Sequence, residues 1–93
     1  PLATISKGAH MKLRVLYFAR LRERFGLGEE TLDFAGATAA DLVAHLQARG
    51  GAWAEELAAG RAFRVAVNQD IVALDAALPD HAEVAIFPPV TGG

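Results

Sequence analysis

Hydrophobic and polar residues alternate with a period of two in four segments of the chain, which is typical of strands that bury one face. These segments are residues 12–18, 29–34, 63–67 and 83–87. In the first segment Leu13, Val15 and Tyr17 share one face, so Phe18 is predicted to lie on the opposite face. The same alternation in the last segment places Phe87 opposite the inward positions. Both aromatic rings are therefore predicted to point away from their strands' core faces.

A fifth, shorter strand is predicted after a tight turn. The segment Asn68-Gln69-Asp70 interrupts the hydrophobic pattern with polar residues that favour a turn. Residues 71–73 form a short apolar run, and we predict that this run is an edge strand beginning at Ile71.

Three segments between the predicted strands have helical spacing instead. They predict a short helix over 19–25, a longer helix that begins after Thr38, and a third helix over 52–59. Thr38 is a good N-cap, and Asp41 three residues later completes a short capping box. Gly50 and Gly51 are predicted to end the second helix.

This order of elements predicts an α+β fold in which the helices pack on one face of a mixed sheet. With the first and last strands parallel and central, the arrangement matches a β-grasp. Residues 1–10 lack a hydrophobic period and are predicted to be a leader or tag remnant left from cloning. Residues 11–93 then form one domain, in which residues 88–93 are a protruding tail.

The composition argues against several classes of function. Hydrophobic residues make up 53% of the chain and charged residues 22%, with a net charge of −2, so neither a nucleic acid nor an anionic membrane is expected as partner. No apolar run approaches the roughly 18 residues that span a bilayer, and no secretory signal is visible, so a cytoplasmic location is expected. The chain has no cysteine, and hence no side-chain thiolate to carry sulfur. His45 and His81 lack metal-ligand spacing and no phosphate-binding loop is present, so the chain is predicted to hold no cofactor or metal itself.

The most informative segment is the end of the chain, which reads Phe87-Pro88-Pro89-Val90-Thr91-Gly92-Gly93. The prolines fix φ and remove two backbone donors, so they cannot extend a sheet and favour a stiff, extended exit from it. The glycines have no Cβ, so they can enter a narrow channel in another protein. The segment predicts a probe whose reactive group is the carboxylate of Gly93.

With this ending, the chain resembles the small subunits of molybdopterin synthases, which are sulfur carriers of the ubiquitin-like β-grasp superfamily. The resemblance extends over residues 11–93, and the seven-residue ending is its most specific part. Two internal segments also match the family pattern. They are Tyr17-Phe18-Ala19 with Arg22-Glu23 after the first strand, and Val67-Asn68-Gln69 at the central turn.

The resemblance implies a chemistry for the tail. An adenylyltransferase similar to ubiquitin-activating enzymes would use ATP to adenylate the Gly93 carboxylate, which is then converted to a thiocarboxylate, with Gly92 as part of the reactive tip. The tail would insert into the large synthase subunit and deliver sulfur to cyclic pyranopterin monophosphate, a step of molybdenum cofactor biosynthesis. The implied assembly is a heterotetramer in which this chain is the non-catalytic sulfur donor of a transferase.

A partner-binding surface is expected beside the tail. Phe18 and Phe87 share one exposed patch if the first and last strands are neighbours, and exposed aromatic residues near a functional tail indicate a contact surface. The alternative is that helices cover this face and both rings belong to the core. The expected partner-binding residues are Phe18, Ile71, Phe87, Pro88, Pro89, Val90 and Thr91.

Three other functions use the same sequence features. A sulfur carrier for thiamine or for transfer-RNA thiolation would have the same tail chemistry, although the third predicted helix and the full ending favour the pterin pathway. A protein modifier would form isopeptide bonds through Gly93. A plain interaction module would have an inert tail, and it would keep its function after deletion of Gly93.

Overall fold

The computed structural model describes residues 10–89, in which the predicted strands and helices form in the predicted order. The elements are β1 (His10–Tyr17), α1 (Ala19–Phe25), β2 (Glu29–Ala35), α2 (Ala39–Gln47), α3 (Gly51–Glu56), β3 (Arg64–Val67), β4 (Asp70–Val72) and β5 (Glu83–Phe87).

The strands form one mixed sheet of five strands in the order β2-β1-β5-β3-β4. The first and last strands, β1 and β5, are parallel neighbours, and the other pairs are antiparallel. This confirms the predicted β-grasp arrangement, and β4 is the predicted edge strand. Because β5 is the middle strand, the chain that follows Phe87 leaves from the centre of the sheet rather than from an edge.

The core lies between the helices and one face of the sheet, as the alternation predicted. Leu13, Val15 and Tyr17 of β1 are 0–1% exposed, which confirms that they share the buried face. Helices α1 and α2 cover this face with apolar side chains of helical spacing. The buried apolar residues contributed by α1, α2 and β5 are Leu21, Ala39, Leu42, Val43, Leu46, Val84 and Ile86.

Helix α2 begins with the predicted capping box. The Asp41 backbone N–H donates to the Thr38 hydroxyl, and the Asp41 carboxylate accepts from the Ala37 and Thr38 backbone N–H groups. These backbone hydrogen bonds lower the pKa of Asp41 because they favour its charged form. The cap satisfies backbone donors that the first helical turn leaves open.

A polar and aromatic network holds the C-terminal half of β1 against the helices. The Tyr17 hydroxyl donates to Glu30 at 2.5 Å, and the Glu30 carboxylate accepts two hydrogen bonds from Arg49. Burial and the bond to Glu30 both raise the pKa of Tyr17, so its hydroxyl stays a donor. The Arg49 guanidinium lies 4.4 Å from the centre of the Trp53 ring, which stacks on Phe25. The start of α3 is thereby packed against α1 and the end of α2.

Several predicted boundaries were wrong by one to three residues, including those of β4, which spans Asp70–Val72 rather than 71–73. Strand β1 begins at His10, within the predicted leader, because the His10 backbone pairs with Ala35 of β2. Helix α3 spans Gly51–Glu56 rather than 52–59, since Gly51 lies inside it and Leu57 already leaves the helical conformation at φ −104°. Strand β3 begins at Arg64, which pairs with the last residue of β5, so within residues 10–89 Phe63 has no strand residue opposite it.

The predicted turn between β3 and β4 is a two-residue hairpin loop. Asn68 and Gln69 have φ values of 50° and 76°, which is the left-handed conformation at both central positions that a type I′ turn requires. Glycine adopts this conformation without the steric cost that a Cβ carries. Gln69 is therefore the less suitable residue of the pair, since Asn-Gly is the preferred sequence for this turn.

We expect Gln69→Gly to raise the free energy of unfolding by about 0.5–1 kcal/mol, because it removes the strain at a positive φ. Chemical denaturation measures the change. The matched control is Asp70→Gly, one residue later in β4, where the backbone is extended and the same change is expected to destabilise the protein. A loss of stability in Gln69→Gly would contradict the assignment of the turn.

Candidate functional site

The tail begins at the C-terminal end of β5, the middle strand of the sheet. Pro88 and Pro89 follow directly on β5, both are half-buried, and neither continues the strand. The remaining predicted tail residues, Val90, Thr91, Gly92 and Gly93, lie outside the described residues. The described part of the site is therefore the platform from which the tail starts.

One face of the sheet is not covered by any helix of residues 10–89, and apolar residues line up across it. The pairing register places Leu16, Ala85, Ala66 and Ile71 side by side on β1, β5, β3 and β4. Ile71 at the edge is 67% exposed, whereas Ala66 in the middle is buried. The row ends at β2 with Glu29, opposite Leu16. This face therefore offers an apolar band with a charged border.

The two predicted aromatic residues stand at the tail end of this band. Phe18 and Phe87 each lie one residue beyond the Tyr17–Ile86 pair of the parallel ladder, so they share the open face. Phe18 is 46% exposed, and Phe87 is half-buried next to Arg64 of β3. We call Leu16, Phe18, Ile71, Ala85 and Phe87 the open-face patch. The structure thus brings together the three predicted surface residues Phe18, Ile71 and Phe87 on one side of the sheet.

Backbone contacts hold Phe18 in this exposed position. Its N–H donates to the Ile86 carbonyl at 3.2 Å, and its own carbonyl accepts from the N–H groups of Leu21 and Arg22 at the start of α1. Ala19, the next residue, has a φ of 53° and turns the chain sharply into the helix. Phe18 is therefore the N-cap of α1 and is tied to β5, so its ring is presented by a rigid backbone.

A buried carboxylate near the base of the tail was not found by sequence reasoning. Glu56, at the end of α3, is 4% exposed and is bound by three arginines. Its carboxylate accepts hydrogen bonds from Arg20 and Arg24 of α1, each at 2.9 Å, and from Arg61 at 3.1 Å. The arginine side chains are themselves 43–55% exposed, so they form the cover over the carboxylate. The only sequence signal was the spacing of Arg20 and Arg24, four residues apart on α1.

The charge of Glu56 is set by its partners. Burial alone would raise its pKa, but the hydrogen bonds from Arg61, Arg24 and Arg20 outweigh it, and the pKa lies below the ordinary value of 4.5. Glu56 is therefore ionised at neutral pH, and it links α1, α3 and the segment before β3. Through Arg20 and Arg61 it also reaches the residues that border the base of the tail.

We expect Glu56→Gln to lower the free energy of unfolding by about 1–3 kcal/mol at neutral pH, since hydrogen bonds to a charged group are lost. A carboxyl whose folded-state pKa is lowered contributes its stability above the unfolded-state pKa and loses it as the pH falls through the folded-state pKa. The difference between the wild type and Glu56→Gln is therefore expected to be constant down to about pH 4.5 and to shrink below it.

Chemical denaturation at a series of pH values measures this difference. The control is Glu55→Gln, because the neighbouring Glu55 side chain is 68% exposed and its loss is expected to change stability by less than about 0.5 kcal/mol. A difference for Glu56→Gln that grows toward acidic pH would contradict the assigned direction of the pKa shift.

Within residues 10–89 no three His, Asp or Glu side chains are grouped so that they could hold a metal ion. His45 is exposed and contacts the Phe34 ring by its edge. None of the helices in this range has the length and apolar character needed to cross a membrane.

Comparison with known proteins places the chain among small relatives of similar length. The model of the ThiS family matches residues 15–93, which includes the tail. The molybdopterin synthase sulfur carrier subunit of Haemophilus influenzae is 42% identical over 81 residues, which cover 87% of this chain and 99% of that protein. The subunit of the same name from Escherichia coli is 43% identical over 83 residues, with the same two coverages.

Solved structures confirm the ubiquitin-like β-grasp fold. A putative molybdopterin converting factor subunit 1 from Pyrococcus furiosus is 30% identical, covers 86% of this chain and 99% of its own, and superposes with a TM-score of 0.72. SAMP1 of Haloferax volcanii is 28% identical over 88% of this chain and 99% of its own, with a TM-score of 0.74. A chain in the complex of subunits 1 and 2 of the molybdopterin-converting factor from Helicobacter pylori is 25% identical over 89% of this chain and 100% of its own, with a TM-score of 0.60.

Proposed function

The chain belongs to the ThiS family, and from this we propose that it is the sulfur carrier subunit of a molybdopterin synthase. The observation that carries the proposal is the match to relatives of that name over 99% of their length. The family model also continues to Gly93, so the tail lies within the matched region. The names of these relatives favour the pterin pathway over the thiamine and transfer-RNA alternatives.

The proposed chemistry takes place on the carboxylate of Gly93. A carboxylate is a poor electrophile, so one of its oxygens first attacks the α-phosphate of ATP, which forms an acyl adenylate and releases pyrophosphate. Sulfide, delivered by a sulfur donor, then attacks the acyl carbon and displaces AMP, which leaves a thiocarboxylate. The ATP is bound by the activating adenylyltransferase, and this chain supplies the acyl group.

The fold supports this use of the tail because the residues that directly follow β5, Pro88 and Pro89, do not continue the strand. The tail starts from the central strand β5, and the two prolines at its base remove the backbone donors that would extend the sheet. A partner can therefore receive the tip without unfolding any strand. In this proposal the folded domain provides recognition and the tip provides the reacting group.

The proposed docking surface is the open-face patch together with the tail. Phe18 and Ile71 are among the large apolar side chains with the greatest exposure in residues 10–89, and they lie on the face that no helix covers. Aromatic and aliphatic residues of this kind are enriched at the centres of interfaces. We propose that the large synthase subunit covers this face, in a heterotetramer with one carrier at each end of a large-subunit dimer. The activating enzyme would bind the same face in the earlier activation step, before the large subunit binds there.

The test is the intact mass of the protein after co-expression with its activating enzyme and a sulfur source. The expected result is a mass gain equal to the exchange of one oxygen for one sulfur, located at Gly93 by peptide mapping. Purified large subunit and cyclic pyranopterin monophosphate should then return the mass to that of the carboxylate. An unmodified mass, with an activating enzyme shown to act on another carrier, would contradict the proposal.

A protein modifier is the second candidate, because SAMP1 of Haloferax volcanii is named a small archaeal modifier protein and has the same fold at 28% identity. Such a modifier would be joined through Gly93 to a lysine of a target protein. Mass spectrometry of cell extracts for peptides that carry a Gly-Gly remnant on lysine tests this function. Remnants that depend on this chain would support it, and their absence beside an accumulated thiocarboxylate would exclude it.

A further inference from the structure

We propose that Arg20 and Arg61 form a cationic collar at the base of the tail, which binds carboxylates at the mouth of the channel that receives the tail. The collar consists of these two arginines, and both donate a hydrogen bond to buried Glu56. The proposal rests on the proposed function, since it assigns a contact to the same partner, the large synthase subunit. It differs from the open-face patch in position and in chemistry.

The collar arginines and the tail base border one shallow cleft. The cleft is lined by Arg20, Gly60, Arg61, Ala62, Pro88 and Pro89. Arg20 comes from the first turn of α1, and Arg61 lies in the segment between α3 and β3. The two guanidinium groups are far apart in sequence but converge because both bind Oε1 of Glu56.

The hydrogen bonds to Glu56 leave other N–H donors of both arginines available. Each donates to Glu56 through one terminal nitrogen, while a guanidinium has five N–H donors. Their side chains are 55% and 47% exposed, so donors remain available on the solvent side. In the wider group, the guanidiniums of Arg20, Arg24 and Arg61 face the carboxylates of Glu55 and Glu56, which leaves an excess of one positive charge.

The distance from the collar to the tip indicates which part of the partner it meets. Gly93 lies four positions after Pro89 in the sequence, and a fully extended chain over four positions reaches at most about 14 Å. A partner that holds Gly93 at its reacting centre therefore places the mouth of its channel near Pro89. Carboxylates match the planar fork of a guanidinium, so Asp and Glu side chains at that mouth are the expected contacts.

The test measures the association rate of the full chain with the large subunit at several salt concentrations. Charges at the rim of an interface act mainly on the association rate and its salt dependence. We expect Arg20→Gln and Arg61→Gln each to lower the rate constant about two- to fivefold at low salt, the size typical of exposed ion pairs. The difference should diminish at high salt. The control is Lys12→Gln, which removes one positive charge from a 56% exposed side chain in the N-terminal half of β1, about 20 Å along the strand from Phe18 and outside the open-face patch.

A purely structural role for the arginines is distinguished by Glu56→Gln. This variant also breaks the cluster, but it leaves both collar arginines charged and removes a negative charge beside them. Because rim charges act on the association rate through their charge more than through the exact position of each guanidinium, the collar predicts a rate equal to or higher than that of the wild type, whereas a structural role predicts a lower rate, as in the arginine variants. Thermal unfolding confirms that each variant is folded at the temperature of the measurement.

The outcomes separate this proposal from the proposed function. If the wild type associates with the large subunit and the arginine variants match Lys12→Gln, the collar is overturned while the proposed function stands. If Glu56→Gln associates as slowly as the arginine variants, the collar is likewise overturned. If the wild type does not associate with the large subunit at all, the proposed function fails, and the collar fails with it.

Discussion

Deletion of Gly93 is expected to abolish sulfur transfer while leaving the fold and the thermal stability unchanged. The reacting carboxylate would move back by one residue, or about 3.5 Å along an extended tail. A displacement of 1 Å at a reacting centre can already cost about 100-fold in rate, so the loss should exceed that factor. Glycine has no side chain, so the deletion removes no apolar side chain from the core, and the stability of the fold is expected to stay the same.

The measurement is single-turnover sulfur transfer to cyclic pyranopterin monophosphate, after activation under identical conditions. A variant with one alanine added after Gly93 is the matched control, because it moves the carboxylate by the same distance in the other direction and retains every native residue. After the activation step, both variants should still have the mass of the carboxylate form, which means that neither has been converted to the thiocarboxylate. Transfer by the deletion variant at a rate near that of the wild type would mean that the tail tip is not the sulfur carrier.

Phe18→Glu is expected to weaken binding to the large synthase subunit by about 2 kcal/mol or more, which is about 30-fold in Kd. Phe18 is presented by a rigid backbone at the tail end of the open-face patch, and a buried charge there would lack a partner. Because the side chain is 46% exposed in the free protein, the substitution should change the free energy of unfolding little.

Leu74→Glu provides a control that is matched in exposure. Leu74 is 45% exposed, but it lies beside α2, on the helix side of the molecule, next to Ala40 and Val43. Isothermal titration calorimetry of both variants against the large subunit, with thermal unfolding alongside, measures the two effects. Equal losses of affinity for Phe18→Glu and Leu74→Glu would place the interface elsewhere.

Much of the fold could be predicted because its signals are local in the chain. The alternation in β1 assigned Leu13, Val15 and Tyr17 to the core, since a strand turns successive side chains to opposite faces. The Thr38 and Asp41 capping box could be predicted because its hydrogen bonds join residues three positions apart. The same local parity placed Phe18 and Phe87 on the outward face, and the register of β1 and β5 put them side by side.

The boundaries that were wrong depend on contacts between segments far apart in sequence. His10 belongs to β1 only because Ala35 of β2 lies opposite it, and nothing near His10 in the chain indicates that pairing. Likewise, β3 starts at Arg64 because β5 ends at Phe87. Strand ends are set by the length of the partner strand, which local patterns do not specify.

The sequence by itself determined the faces of the strands, the start of α2 and the ending that led to the proposed chemistry, because those features depend on neighbouring residues and backbone stereochemistry. Only the tertiary structure decided which charged groups meet. Glu56 and its arginines come from α1, α3 and the segment before β3, and their interaction arises when α3 packs against α1. Ion pairs act through space over a few ångströms, so the linear order of Arg20, Glu56 and Arg61 held no sign that they converge at the base of the tail.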